Sequence, residues 1–230
     1  MNLSILCFDL DGTLCDLWDS EEQAMYRLID RLHTQCEHTR EQLVEEYKDT
    51  WSIYKKSYMR KVDRGEEEMT IRTQHITELL KELEVIDDPH LLAQDHWNTV
   101  LKEMQIYPDA VPTVQILAEK RKLTMITNGA PRFQREKINR IGIEEYIEEI
   151  IVSGELGHHK PCKLIFDIMT QRINSQPEEM VYIGNDYHKD IIGAHKAGWS
   201  TVWVNRKEQQ PRGIEPDWNI NSLSELRKIF

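Results

Sequence analysis

Hydrophobic positions follow two different periods along the chain. Near the N-terminus Ile5-Leu6-Cys7-Phe8 is an unbroken apolar run, the pattern of a strand buried on both faces of a parallel sheet, and it leads directly into Asp9-Leu10-Asp11-Gly12-Thr13. Between residues 19 and 104 apolar side chains recur every three or four positions instead. Met25, Leu28, Ile29 and Leu32 form one such set, and Leu43, Tyr47, Trp51 and Tyr54 another. Ile76, Leu79, Leu80 and Leu83 form a third, and Trp97, Val100, Leu101 and Met104 a fourth. The spacing predicts four amphipathic helices. Thr39 with Gln42 has the form of a capping box, Asp88 before Pro89 marks a second helix start, and Gly65 offers a break. After Pro108 short β-branched runs at residues 123–127, 150–153, 180–184 and 201–204 alternate with helical segments, which predicts a parallel sheet. Residues 205–216, charged and holding two prolines and a glycine, predict a loop.

These periods imply an α/β fold. A doubly wound parallel sheet is expected over residues 1–16 and 105–230, with an all-helical domain inserted at 17–104. In open sheets of this kind the ligand lies at the carboxyl ends of the strands. Asp9, Thr127, Ser153 and the run Gly184-Asn185-Asp186 all fall at predicted strand ends. The helical insertion leaves the sheet at the same edge, so it is expected to act as a lid.

The two acids that close the first strand carry the chemistry. Residues i and i+2 of an extended chain project to one side, which aims Asp9 and Asp11 at a common point. Carboxylates that close repel each other, so either a cation intervenes or one of the pair is protonated. A neutralised Asp can attack phosphorus, and a protonated neighbour can give its proton to a leaving alkoxide. Gly12 lets backbone approach the transferring group. The competing reading is an ordinary strand-ending turn, for which Asp and Gly also serve.

Four stretches taken together resemble the motifs of the haloacid dehalogenase-like (HAD) hydrolase superfamily. Asp9-Leu10-Asp11-Gly12-Thr13-Leu14 is similar to the first motif, and Met125-Ile126-Thr127-Asn128-Gly129 to the second. Lys160-Pro161 is similar to the third. Residues 182–194, Tyr182-Ile183-Gly184-Asn185-Asp186 through Asp190 to Ala194, resemble the fourth. The resemblance implies a Rossmann-like core with a helical cap and a Mg²⁺-dependent phosphatase of small phosphate monoesters, of the nucleoside monophosphate, sugar phosphate or phosphoglycolate type. It implies Asp9 as nucleophile and Asp11 as general acid and base. Thr127, Asn128, Lys160 and Gly12 would contact the phosphoryl group. The metal would be held by Asp9, the Asp11 carbonyl and acidic groups of the fourth motif. One position departs from the family pattern, because Asn185 stands where an aspartate commonly follows the glycine. Either Asp186 is the direct ligand, which is the favoured reading, or Asn185 coordinates while Asp186 and Asp190 act through water.

Other functions on the same core are a phosphomutase and a haloacid dehalogenase; the dehalogenases do without the acid two residues after the nucleophile, which argues against that chemistry here. A phosphorylatable regulatory module is the non-enzymatic alternative. Residues 64–72 faintly resemble members that act on nucleoside monophosphates; the basic residues around Trp51, Tyr54 and Tyr58, Arg60 and Arg64 among them, read as a solvated helix face, with the narrower alternative that Arg60, Arg64 or Arg72 reaches from the cap toward substrate. His158 and His159 read as loop residues, and Trp199, Trp203 and Trp218 as core.

Composition narrows the partners. A net charge of −11, with both signs interleaved, disfavours nucleic acid and anionic membranes, so a phosphorylated metabolite must be held by local groups. Cys7, Cys15, Cys36 and Cys162 have no CxxC spacing and read as reduced thiols of a cytoplasmic protein. No apolar run approaches the ~20 residues that cross a bilayer, and no targeting segment is evident. A monomer or homodimer is expected.

Overall fold

The computed structural model describes residues 3–230, which form two compact units. One comprises the chain up to Asp16 together with Ile106–Phe230, and the other Leu17–Gln105.

The first unit is built on the strand β1 (Ile5–Phe8), whose four residues are all buried, as an apolar run in a two-sided sheet requires. The two-residue strands β2 (Cys15–Asp16) and β3 (Gln105–Ile106) mark where the chain leaves and re-enters. The sheet is completed by β4 (Lys122–Thr127), β5 (Glu149–Val152), β6 (Met180–Gly184), β7 (Ser200–Val204) and β8 (Trp218–Ile220), in the order β5-β4-β1-β6-β7-β8. All neighbours are parallel. The fold is therefore the α/β doubly wound sheet that the sequence predicts. Phe8 stands opposite Met125 of β4 and Ile183 of β6, so three strands end within about two residues of one another. Strand β8 has no counterpart in the sequence reading: only Ile220 of its three residues is buried, so it leaves no apolar run to recognise.

The second unit holds helices α1 (Trp18–His33), α2 (Arg40–Lys55), α3 (Tyr58–Asp63), α4 (Glu68–Glu82) and α5 (Pro89–Glu103). Thr39 and Gln42 close a capping box at the start of α2, and Asp88 caps α5 ahead of Pro89. Five helices stand where the apolar periods predict four. The additional α3 is one and a half turns long and buries only Val62, too few apolar positions to register as a period. It ends before Gly65, which takes the left-handed conformation that glycine adopts without strain.

Arg72 of α4 is not free to reach a ligand. It is buried within its own unit, donates to Glu21 and Glu68 at 3.1 Å each, and lies 2.9 Å from His96 Nδ1. A guanidinium so far from water needs such partners, so the alternative that it points toward substrate gives way to a structural role. Arg60 and Arg64 are exposed.

Helices α6 (Ala110–Ala118), α7 (Pro131–Ile141), α8 (Ser153–Leu156) and α9 (Lys163–Arg172) flank the sheet. Phe166 of α9, Tyr182 of β6 and Trp199 form an edge-to-face aromatic core, with ring centroids 5.3 Å and 5.4 Å from that of Phe166. Trp203 is buried as well, whereas Trp218 is only half-buried against Phe230, because its strand lies at the sheet edge. The four cysteines are free thiols. No helix among the described residues is long and apolar enough to cross a membrane.

Candidate active site

Asp9 is the first residue beyond β1, and its backbone N–H still donates to Ile183 O, which pins it at the sheet edge. Its carboxylate is buried. Oδ1 accepts from Lys160 Nζ at 2.6 Å and Oδ2 from the Thr13 hydroxyl at 3.0 Å. Lys160 is buried too and donates further to Asp190 Oδ1 at 2.8 Å and to the Tyr182 hydroxyl at 2.6 Å. Burial alone would lower the pKa of this ammonium. Asp190 and Asp9 outweigh that and hold it above the ordinary lysine value.

Asp190 lies in the π-helical turn Tyr187–Ile192. Burial pushes its carboxyl up to about 7, an effect that Lys160 opposes and Asp9 reinforces. Its second oxygen accepts from the Asp186 N–H at 2.8 Å. The approach is so close that a Cβ on Gly184 would stand 2.4 Å from Asp190 Oδ2, which explains glycine at that strand end.

Asp11 has a separate ammonium. Lys137 Nζ, on α7, donates to both carboxylate oxygens at 2.6 Å and 2.7 Å, and Gln134 Nε2 donates to Oδ2 at 3.1 Å. The repulsion that the Asp-x-Asp spacing implies is thus relieved by two lysines, one for each acid. Lys160 is among the residues the sequence singles out. Lys137 and Gln134 are not, because one polar pair three residues apart on a helix resembles any solvated face. Their burial, with the Lys137 side chain 4% exposed, distinguishes them.

Thr127 is the last residue of β4 and is buried. Asn128 donates to Lys160 O at 3.0 Å and accepts from Lys160 N–H at 2.9 Å, tying the loop after β4 to the loop that carries Lys160. His158 is exposed and His159 half-buried beside it.

The fourth stretch divides differently from the favoured reading. Asn185, with its amide turned so that both ends are satisfied, donates from Nδ2 to Asp9 Oδ2 at 3.2 Å and to the Asp11 carbonyl at 3.0 Å. A Cβ on Gly12, whose φ is +85°, would come within 2.3 Å of the Asn185 amide group. Asp186 faces elsewhere. Its Oδ1 caps the π-helical turn by accepting from His188 N–H and Lys189 N–H at 3.0 Å and 2.9 Å, and its Oδ2 pairs with Lys189 Nζ at 2.9 Å. Burial would raise this carboxyl, but those amide donors and the ammonium together hold it below the usual range.

Two oxygens, from the Asp9 carboxylate and the Asp11 backbone, therefore converge on one positive dipole end. An oxygen-seeking divalent cation fits that donor set, with Asn185 able to offer its amide oxygen. Among the described residues no three His, Cys, Asp or Glu side chains gather closely enough to hold an ion. Such a site would depend on one carboxylate, a carbonyl, an amide and water.

A family model described as haloacid dehalogenase-like hydrolase matches residues 3–198. The chain belongs to this family. The HAD chain is 34% identical over 164 residues to the glyceraldehyde 3-phosphate phosphatase of Methanopyrus kandleri, covering 67% of this chain and 70% of that one. It is 28% identical to the N-acylneuraminate-9-phosphatase of Rattus norvegicus, over 97% of this chain and 92% of the relative. Among solved structures, the HAD-hydrolase YfnB of Bacillus subtilis bound to magnesium superposes with a TM-score of 0.76 at 25% identity, covering 100% of this chain and 99% of that one. A 2-haloacid dehalogenase from Pseudomonas syringae does so with 0.75, also at 25% identity, over 99% and 97%.

Proposed function

We propose that this HAD hydrolase is a Mg²⁺-dependent phosphatase of small phosphate monoesters that works through an aspartyl-phosphate on Asp9. The observation that carries the reading is the pair of acids at the end of β1, each held by its own buried lysine. Asp9 attacks phosphorus as the ester P–O bond breaks, and Asp11 gives its proton to the departing oxygen. Asp11 then takes a proton from the water that attacks the phosphoenzyme, and the Asp9–phosphorus bond breaks to release phosphate. Lys160 holds the Asp9 carboxylate in place and supplies positive charge beside the transferring group, where phosphoryl transfer is most sensitive to neutralisation. Thr127 and the loop that Asn128 braces would face the phosphoryl oxygens. Magnesium, held by Asp9, the Asp11 carbonyl and Asn185, would neutralise phosphate charge during transfer.

Relatives named as phosphatases of small phosphorylated metabolites support the reaction class. The dehalogenase likeness speaks for a shared fold, while Asp11 speaks for acid catalysis, which expulsion of a halide does not need. The test is release of phosphate from an aryl phosphate by the full chain with Mg²⁺, repeated with EDTA and with Asp9→Asn. Turnover that EDTA abolishes and excess Mg²⁺ restores, and that Asp9→Asn lacks, supports the proposal; turnover retained by Asp9→Asn overturns it. A panel of nucleotides, sugar phosphates and phosphoglycolate then ranks the substrates.

A further inference from the structure

Lys137 and Gln134 lie outside the four motif stretches, yet both converge on Asp11. Lys137 is buried on α7 between hydrophobic neighbours Phe133, Ile138 and Ile141, and burying an ammonium there is costly without a counter-charge. Its ammonium pairs with the Asp11 carboxylate, which it straddles, 2.6 Å from Oδ2 and 2.7 Å from Oδ1. Gln134 sits one turn earlier on the same helix. Its Nε2 donates to Asp11 Oδ2 at 3.1 Å and to the backbone oxygen of Asn128 at 2.7 Å. A Cβ on Gly129 would stand 2.2 Å from that nitrogen, so the loop after β4 is shaped around this amide. Asp11 itself keeps a third of its side chain exposed, so it is held from behind while its front remains open.

We infer that Lys137 and Gln134 are positioning residues that fix the Asp11 carboxyl for proton transfer, with Gln134 coupling that orientation to the phosphate-facing loop after β4. The inference rests on the phosphatase reading above. In the first step the ester P–O bond breaks, the Asp9–phosphorus bond forms and the Asp11 proton passes to the leaving oxygen. A free carboxyl rotates about its side-chain bonds. A bidentate ammonium removes that freedom, and proton transfer across a hydrogen bond depends steeply on such geometry.

The step that needs a proton identifies the role. Expulsion of an alkoxide requires one, whereas a dinitrophenolate leaves without it. For Lys137→Met we expect kcat/KM on an alkyl phosphate to fall roughly a hundredfold, within the range of general acid catalysis, while kcat/KM on 2,4-dinitrophenyl phosphate stays within about threefold. Because the aspartyl-phosphate still needs Asp11 as base, kcat on the dinitrophenyl ester should fall and a burst of dinitrophenolate should appear. Lys137→Arg should recover most of the alkyl-phosphate rate, and Gln134→Leu should show the same pattern more weakly. Asp11→Asn with Lys137→Met should be no worse than Asp11→Asn alone. Equal losses in kcat/KM on both esters, or no loss on either, would overturn the inference. Should Lys137→Met fail to fold by circular dichroism, the same comparison made with Gln134→Leu decides, by the same two outcomes. Failure of the wild-type chain to hydrolyse either ester would instead strike the phosphatase reading itself.

Discussion

Asn185 Nδ2 stands 3.2 Å from Asp9 Oδ2, a hydrogen-bond donor at the position where the motif resemblance leads one to expect a second acid. The amide removes one negative charge from the cation site and stabilises the metal-free carboxylate. Restoring the acid should do the reverse on both counts. Asn185→Asp is expected to tighten Mg²⁺ binding several-fold by calorimetry and to lower the melting temperature without metal. Asp186→Ala should lose a cap worth about 1 kcal/mol and change Mg²⁺ affinity less than Asn185→Ala does. The opposite order would make Asp186 the ligand.

Lys160 serves two buried acids at once, Asp9 at 2.6 Å and Asp190 at 2.8 Å. Removing one partner of a buried ion pair leaves an uncompensated charge, which costs about 3–5 kcal/mol. Lys160→Met should therefore lower stability by that order in urea unfolding and also abolish turnover. A variant of wild-type stability that loses activity alone would show that the ammonium is not structurally required.

In the helical unit, Arg72 lies between Glu21 and Glu68 with both contacts at 3.1 Å. Glu68 is also hydrogen-bonded by the Tyr58 hydroxyl. Arg72→Met is expected to destabilise the unit by about 3–5 kcal/mol, read as faster hydrogen exchange in α4. Relative kcat/KM among phosphate esters should stay unchanged. Altered preference at undiminished stability would return Arg72 to substrate recognition.

The same unit carries an acid sensitivity. Burial pushes the imidazole of His75 down to about 4 and that of His96 to about 3, with the Arg72 guanidinium acting in the same direction on both. An unfolded chain takes up these protons near pH 6.5, the folded unit only at the lower values. Stability is therefore complete above pH 6.5 and is lost progressively as pH falls toward 4 and 3. By pH 5 the loss is on the order of 2 kcal/mol for each histidine. Amide exchange protection of α4 and α5 should drop between pH 7 and 5, and no change over that range would contradict the burial of neutral imidazoles.

Much of the sheet was legible because β1, β4, β6 and β7 are buried almost throughout, and the edge strand β5 over its last two residues, and write that burial as apolar runs. Strand β8 and helix α3 were not, since each buries a single side chain. At the candidate site, Asp9 and Thr127 could be named from their places at strand ends, and Lys160 from the motif resemblance alone. Lys137 could not. Its role depends on α7 turning one polar position inward to Asp11, 126 residues away in sequence, and a helical period records which positions are apolar, not which polar one is buried. The relative standing of Asn185 and Asp186 turns on local geometry as well. An Asp that begins a helical turn is claimed by the free amides there, leaving the preceding side chain to face Asp9.

The central claim is that Asp9 carries the phosphoryl group. Rapid acid quench during turnover of a phosphate ester, followed by borohydride reduction and peptide mass mapping, tests it directly. Covalent modification should be found on Asp9, build up within the first turnover and be absent from Asp9→Asn. Full-rate phosphate release with Asp9 unmodified at every quench time would contradict the account.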